Sequence, residues 1–478
     1  MDKENPFDLS SEEFRRLGYG LVDKMAELLE NESRDPVITE TTGAQSRDLW
    51  NEPLPQAGTP FEELLAGPVA AITKTCRKNG HPRFFGYVSA SADPVGVLAD
   101  ALASVLNQNM TAWRSAPGAA ALERQVVRWL GELTGFQGGG HGLLTSGGSM
   151  ANSIALSCAL ARTQQRAELP PEDRSGLTLY LSRESHLSMP KAALALGIPP
   201  ANIRRVDVDE NRRLRLDSLQ DRLRADLAAG LLPFCVCASA GTANTGIIDP
   251  LEEIARLCTE HDLWFHIDGA YGAPAVLTED YRWMARAFSQ ADSLSLDPHK
   301  WLFAPLDVGC VLLRDSEASR RAFSHQTEYV AVQQTDPYES FAFFDHGPEL
   351  SRRFRALKVW MILKARGTDA LAAAIDNNIQ LRRHLDSRIA HHPQLELLGS
   401  DLSISCFRFL PNSTTPAETL NALNRRILET LVREGRLFMS PTALEGRYSL
   451  RICIVNFRTT KPDIDFLLDE VLRVGNTR

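Results

Sequence analysis

Two segments carry the residues most able to do chemistry. In His266-Ile-Asp-Gly-Ala-Tyr271, the apolar run Leu263–Ile267 ends in a carboxylate, Asp268. Further along, Ser293-Leu-Ser-Leu-Asp-Pro-His-Lys-Trp301 closes a second apolar run with His299 and Lys300. A lysine that can form a Schiff base and a carboxylate that can hold a pyridinium nitrogen are the two protein groups pyridoxal phosphate most requires. Taken singly, a strand-end Asp reads as a turn residue and a Lys as a solvated charge. As an ordered pair they point to a cofactor site.

The surrounding pattern predicts what positions them. Short apolar runs at 142–145, 177–181, 203–208, 233–238, 264–267, 293–296 and 309–313 alternate with helical stretches such as 149–162, 216–229 and 251–261. That alternation predicts an α/β fold with a mainly parallel sheet covered on both faces. Ligands of such sheets bind beyond the carboxyl ends of the strands, and the other candidates fall there. Ser146-Gly-Gly-Ser-Met-Ala-Asn152 opens a helix whose small residues, Gly148 among them, free backbone amides for an anion, and Ser149 adds a hydroxyl. The competing reading is a tight turn, and no P-loop lysine follows. His186 and Thr242 each follow a predicted strand. His186 is placed to stack on a cofactor ring and Thr242 to touch it, although either also reads as a structural residue.

Residues 10–30 carry a cap, Ser10 or Ser11, then Phe14, Leu17, Leu21, Val22, Met25, Leu28 and Leu29 at helical spacing. That stripe must be covered, by a second subunit or by the chain's own body. A Pro-rich arm follows. After residue 366 the texture changes to a helix at 370–391, a strand at 403–409, a helix at 417–434 and a strand at 448–454. The expected division is a helical arm at 1–80, a large cofactor-binding domain at 81–365 and a small α+β domain at 366–478.

With 478 residues, 44% hydrophobic and 23% charged, the chain reads as globular, and a net charge of −8 without basic blocks disfavours nucleic acid. The acidic, polar N-terminus is unlike a secretory leader, and no apolar run approaches the roughly 20 residues that cross a bilayer. The eight cysteines sit mostly in apolar runs, and Cys235 and Cys237 lack C-x-x-C spacing, so reduced core thiols in a cytoplasmic protein are expected. Neither HExxH nor a Cys/His cluster suggests a metal.

The ordered set Thr-Ser-Gly-Gly-Ser149, Ser-His186, Ala-Gly-Thr242, His-Ile-Asp268-Gly-Ala-Tyr and Asp-Pro-His-Lys300-Trp closely resembles the group II pyridoxal-phosphate-dependent amino-acid decarboxylases. Within that group the chain looks most like the aromatic-L-amino-acid decarboxylases. His81-Pro-Arg-Phe-Phe-Gly-Tyr87, Arg352-Arg-Phe-Arg-Ala-Leu-Lys358 and Ser405-Cys-Phe-Arg-Phe409 extend the likeness nearly end to end. The resemblance implies fold type I, the aspartate-aminotransferase-like architecture with a seven-stranded sheet, and a homodimer with active sites at the interface. It implies conversion of an amino acid, of aromatic type, to its amine and CO2. Residue by residue, it makes Lys300 the Schiff-base lysine, Asp268 the partner of the ring nitrogen and His186 the stacking group. Gly148 and Ser149 then line the phosphate, Ala270 packs under the ring, and His299 contacts phosphate or substrate.

Three departures accompany it. Asp297 stands where aromatic decarboxylases often have Asn, which brings a negative charge near a phosphate. Ser89 is the counterpart of a threonine for the substrate carboxylate, in a segment one residue short. The loop tyrosine that protonates the product carbanion matches Phe343 without gaps, whereas a shifted loop offers Tyr338 or Tyr329; Tyr338, within an expected lid at 325–346, is the expected proton donor. Phe84, Phe85, Tyr87 and Trp113 fall in segments that wall the substrate side in the family, or else pack in the core. Phe343 at the loop position would instead imply an aldehyde synthase. A non-aromatic, acidic substrate would need a cation such as Arg83 or Arg114, and a binding protein without turnover is the reading from another class.

Overall fold

A computed structural model describes residues 7–137, 140–324 and 336–477. Its main sheet has seven strands: β1 (Gly142–Thr145), β2 (Leu177–Ser182), β3 (Ile203–Val206), β4 (Leu232–Ser239), β5 (Trp264–Asp268), β6 (Ser293–Leu296) and β7 (Gly309–Leu313). Their order is β1-β7-β6-β5-β4-β2-β3. Pairings from β3 through β6 are parallel, and β7 runs antiparallel to both neighbours. All strands but β7 therefore point the same way. Every residue of β2, β6 and β7 is buried, as a doubly covered sheet demands of near-continuous apolar runs. The consequence for function is geometric, since the carboxyl ends of β1, β2, β4, β5 and β6 share one edge.

A second sheet, ordered β10-β11-β9-β8, is wholly antiparallel: β8 (Leu395–Asp401), β9 (Ile404–Phe409), β10 (Ser440–Leu444) and β11 (Arg447–Cys453). Helices Ala417–Glu434 and Lys461–Gly475 bury Leu431, Ile464 and Leu467 among Phe407, Phe409 and Ile452. Helix Ala356–Ala390 starts well before the expected residue 370 and is interrupted at Gly367, whose φ of 72° no β-branched residue would adopt. The segment around Phe85 is stitched to this second sheet. Phe85 N–H donates to Phe438 O at 2.8 Å and Cys453 N–H to Phe85 O at 2.9 Å, while Arg83 pairs with Asp463, 380 residues away.

Helix Ser11–Asn31 is capped by Ser10, whose hydroxyl accepts the Glu13 amide at 3.1 Å. It buries none of its residues, and Phe14, Tyr19, Leu21, Val22, Leu28 and Leu29 are exposed. Seven of the eight cysteines are buried and none forms a disulfide. No helix among the described residues is long and apolar enough to cross a membrane.

Candidate active site

The shared strand edge opens into a cavity of about 930 Å³. Lys300, Asp268, His186, Thr242, Ala270 and His299 line it, with Gly148, Ser149 and Ser89. Nine sequence-predicted site residues are thus brought together.

Asp268, at the end of β5, is held by three donors. Asn152 Nδ2 reaches Oδ2 at 3.0 Å, and the Ala270 amide and Ser295 hydroxyl reach Oδ1 at 3.2 and 3.3 Å. Because Asp268 only accepts, the Asn152 amide must turn its Oδ1 the other way, toward His266 Nε2 at 3.1 Å. His266 Nε2 is then the donor, and Nδ1 accepts from the Ser293 hydroxyl at 2.8 Å, which itself accepts Trp264 Nε1–H at 2.8 Å. Full burial pushes His266 down to about 4, only partly offset by the Asp268 charge, so the ring is neutral at pH 7.

The same Asn152 amide donates to Ser188 Oγ at 3.1 Å, and that hydroxyl meets His186 Nδ1 at 2.8 Å. The Ser188 amide also donates to Nδ1, at 3.2 Å. His186 is thereby fixed with its proton on Nε2. One directional chain of hydrogen bonds from Trp264 sets both Asp268 and His186. Sequence reasoning missed Asn152 and His266 as site residues, although both lie inside motifs it had singled out.

Lys300 Nζ lies 2.9 Å from Asp297 Oδ2. Burial opposes the ammonium, but the Asp297 charge and hydrogen bond, with Asp268 behind them, prevail and hold it above the ordinary lysine value. His299 Nε2 is 3.6 Å from the same oxygen, and its Nδ1 accepts the Val308 amide at 3.1 Å. Burial lowers the His299 pKa, with Lys300 adding to that and Asp297 resisting it.

The turn before helix Gly148–Arg166 fits a phosphate. Its first amides have no partner within the helix. A Cβ on Gly148 would stand 2.9 Å from Ala270 Cβ and 3.0 Å from Asp297 Oδ2, and Gly147 has φ 149°. Only glycine keeps this cradle open. Asp297 is 1% exposed, and among the described residues its Oδ1 has no hydrogen-bond partner.

Other candidates lie elsewhere. Phe84 is 2% exposed and stacks on Phe438 at 5.1 Å in a small core with Val37. It packs the body instead of walling the cavity, because the segment turns its ring toward the second sheet. Phe85 is likewise buried in that sheet's core, and of the expected aromatic wall Tyr87 alone lines the cavity. Tyr338 is on the surface, 43% exposed, under the Arg124 guanidinium, and does not line its own chain's cavity. Tyr329 and half of the expected lid, residues 325–335, lie outside the described residues. Phe343 is 1% exposed, with its amide on Thr111 O and the Arg352 guanidinium 4.3 Å over its ring. That arginine is itself buried against Glu123 and Leu144 O, so Phe343 belongs to a fixed core. Arg83 is paired with Asp463, and neither it nor Arg114 lines the cavity. Arg451 does, but it donates to the carbonyls of Tyr87, Ala243 and Asn244 at 3.0, 2.6 and 3.0 Å.

The family model for the pyridoxal-dependent decarboxylase conserved domain matches residues 44–410. The chain is 36% identical over 457 residues to an aromatic-L-amino-acid decarboxylase of Bacillus atrophaeus, covering 95% of this chain and 94% of that one. It is 29% identical to a phenylacetaldehyde synthase of Petunia hybrida, over 96% and 93% of the two chains. The crystal structure of Catharanthus roseus tryptophan decarboxylase in complex with L-tryptophan superposes with a TM-score of 0.89 at 26% identity, over 98% of this chain and 99% of that one. The strand-end lysine and aspartate, the glycine cradle and these likenesses agree: the chain belongs to the pyridoxal-dependent decarboxylase family, carboxy-lyases of fold type I that work with pyridoxal phosphate.

Proposed function

We propose that this enzyme decarboxylates an aromatic L-amino acid to its amine, as a cytoplasmic homodimer. The observation that carries the reading is the meeting of Lys300, Asp268 and His186 in one cavity, with the last two set by a common hydrogen-bond chain. Pyridoxal phosphate, when bound, supplies the electron sink for the pair of electrons released with CO2. The chain's own residues do the rest. Lys300 holds the cofactor, and Asp268 keeps a proton on the ring nitrogen. His186 covers one ring face while Ala270 and Thr242 support the ring, and Gly148, Ser149 and His299 grip the phosphate. Ser89 takes the substrate carboxylate. The division at 1–80, 81–365 and 366–478 goes with this reading.

Two observations support an uncharged, aromatic side chain. The aromatic decarboxylase of Bacillus atrophaeus is alike over nearly the whole chain. Among the described lining residues the only Lys or Arg side chains are Lys300 and Arg451, and Arg451 faces backbone carbonyls, so a second carboxylate would find no free cation. The dimer is supported by the bare apolar face of helix Ser11–Asn31 and by Leu98, Leu102, Val105 and Leu106 on helix Pro94–Leu106. Across such an interface Tyr338 would deliver the proton that completes the amine. The cytoplasmic assignment draws on the buried, unbonded thiols.

The test is a product screen with holoenzyme and each aromatic amino acid, with glutamate alongside, scoring amine, aldehyde and peroxide. Amine without peroxide from Trp, Tyr, Phe or DOPA is expected, and Tyr338→Phe should shift the product toward aldehyde. Stoichiometric peroxide from the unaltered enzyme would make it an aldehyde synthase.

A further inference from the structure

Asp297 is a carboxyl group in the place least suited to one. A Cβ on Gly309 would lie 2.6 Å from its Oδ1 and 2.5 Å from Gly147 Cα, and one on Gly148 would lie 3.0 Å from its Oδ2. The carboxyl is therefore wedged against the turn that fits the phosphate. Oδ2 has Lys300 Nζ at 2.9 Å, whereas the buried Oδ1 lacks a partner among the described residues. Two anions this close in a buried site cannot both persist. A single proton between them would convert the repulsion into a charge-assisted hydrogen bond.

The other titratable groups facing Asp297 do not offer that proton a place. His299 has Nδ1 occupied by the Val308 amide, so an imidazolium would set two donors against each other. Lys300 already carries its proton on the Oδ2 side. Cys310, on β7, is a thiol that burial keeps neutral, with Glu123 and Asp297 adding to the effect.

We infer that Asp297 is a proton-linked part of the phosphate site: ion-paired with Lys300 in the free protein, it takes one proton from solvent when phosphate binds and shares it with a phosphate oxygen. Cofactor affinity then falls as pH rises, because the complex holds one proton more than its separated parts. The inference rests on the phosphate lying at the Gly147–Ser149 turn.

The experiment titrates full-length apoprotein with pyridoxal phosphate and with pyridoxal, following the absorption change from pH 7 to 9. In that range the free phosphate ester, with a second pKa of about 6, is already doubly charged. Schiff-base formation is common to both ligands, so the difference in slope isolates the phosphate. The expected result is a Kd for pyridoxal phosphate that rises about tenfold per pH unit more steeply than that for pyridoxal. Asp297→Asn should abolish the difference and bind the phosphate ligand at least about a hundredfold more tightly than the unaltered protein at pH 9, relative to pyridoxal. Parallel slopes in the unaltered protein, a comparison that needs no variant, would overturn the inference, as would a steep slope persisting in Asp297→Asn. Ser149→Ala separates the two ideas. If it weakens pyridoxal phosphate but not pyridoxal while the slopes stay parallel, only the role of Asp297 fails; if it weakens neither, the phosphate placement fails as well.

Discussion

The floor of the cavity and the helix Ser11–Asn31 are satisfied in opposite ways. On the floor, the polar groups of Asp268, Asn152, His266, Ser293 and Ser188 all meet partners within the chain. The helix buries nothing, leaving Tyr19 68% and Phe14 59% exposed. Buried polar networks are stable only when complete, and apolar faces of this extent mark surfaces that meet another molecule. The difference teaches that one chain can complete the polar network of its cavity alone while leaving a long apolar helix face bare.

The sharpest way to break the floor is at Lys300. Lys300→Ala should remove the visible absorption band of the holoenzyme and lower amine formation by roughly four orders of magnitude or more, while sedimentation still reports the assembled protein. A residual band in the variant would show that the lysine is misassigned.

The surface is tested next, by placing charge on it. Leu102→Glu with Val105→Glu should raise the subunit dissociation constant at least a hundredfold, since burying unpaired charges costs several kcal/mol. Both side chains are exposed in the single chain, so the unfolding temperature of the dissociated subunit should stay within a few degrees. An unchanged sedimentation coefficient would mean this face is not the interface.

The mildest effect separates the regions by pH. His266 is pushed down to about 4 by burial, below its unfolded value, so its contribution to stability is present above 6.5 and lost as pH falls through 6.5 toward 4. Unfolding free energy should drop by about 3 kcal/mol at most from this group over that window. The drop should shrink in His266→Gln if the floor is its source, whereas substitutions on helix Ser11–Asn31 should leave it unchanged.

Most of this was legible where local pattern and burial coincide. All seven strands of the main sheet, the helix Ala417–Glu434 and a cap at Ser10 or Ser11, Ser10 in the structure, follow from periodicity and punctuation. β8 and β10 escaped because edge strands have one ladder and weak patterning, and Pro441 in β10 argues against a strand by its missing amide. The hydrogen-bond chain escaped for another reason. Asn152 and His266 are 114 residues apart, and only the parallel strand order brings them together. Phe84 shows the same limit, since its aromatic character did not say which wall it would face.

The seam between Arg83 and Asp463 bears on how the chain is made. With its partner 380 residues further along, a segment synthesised early waits for helix Lys461–Gly475 to leave the ribosome, about 20 to 80 s at ordinary elongation rates. During that interval Phe84 and Phe85, buried in the finished protein, stand uncovered. The nascent chain is thus a natural client for chaperones until helix Lys461–Gly475 emerges, and truncations that remove this helix should fail through insolubility before they fail through lost chemistry.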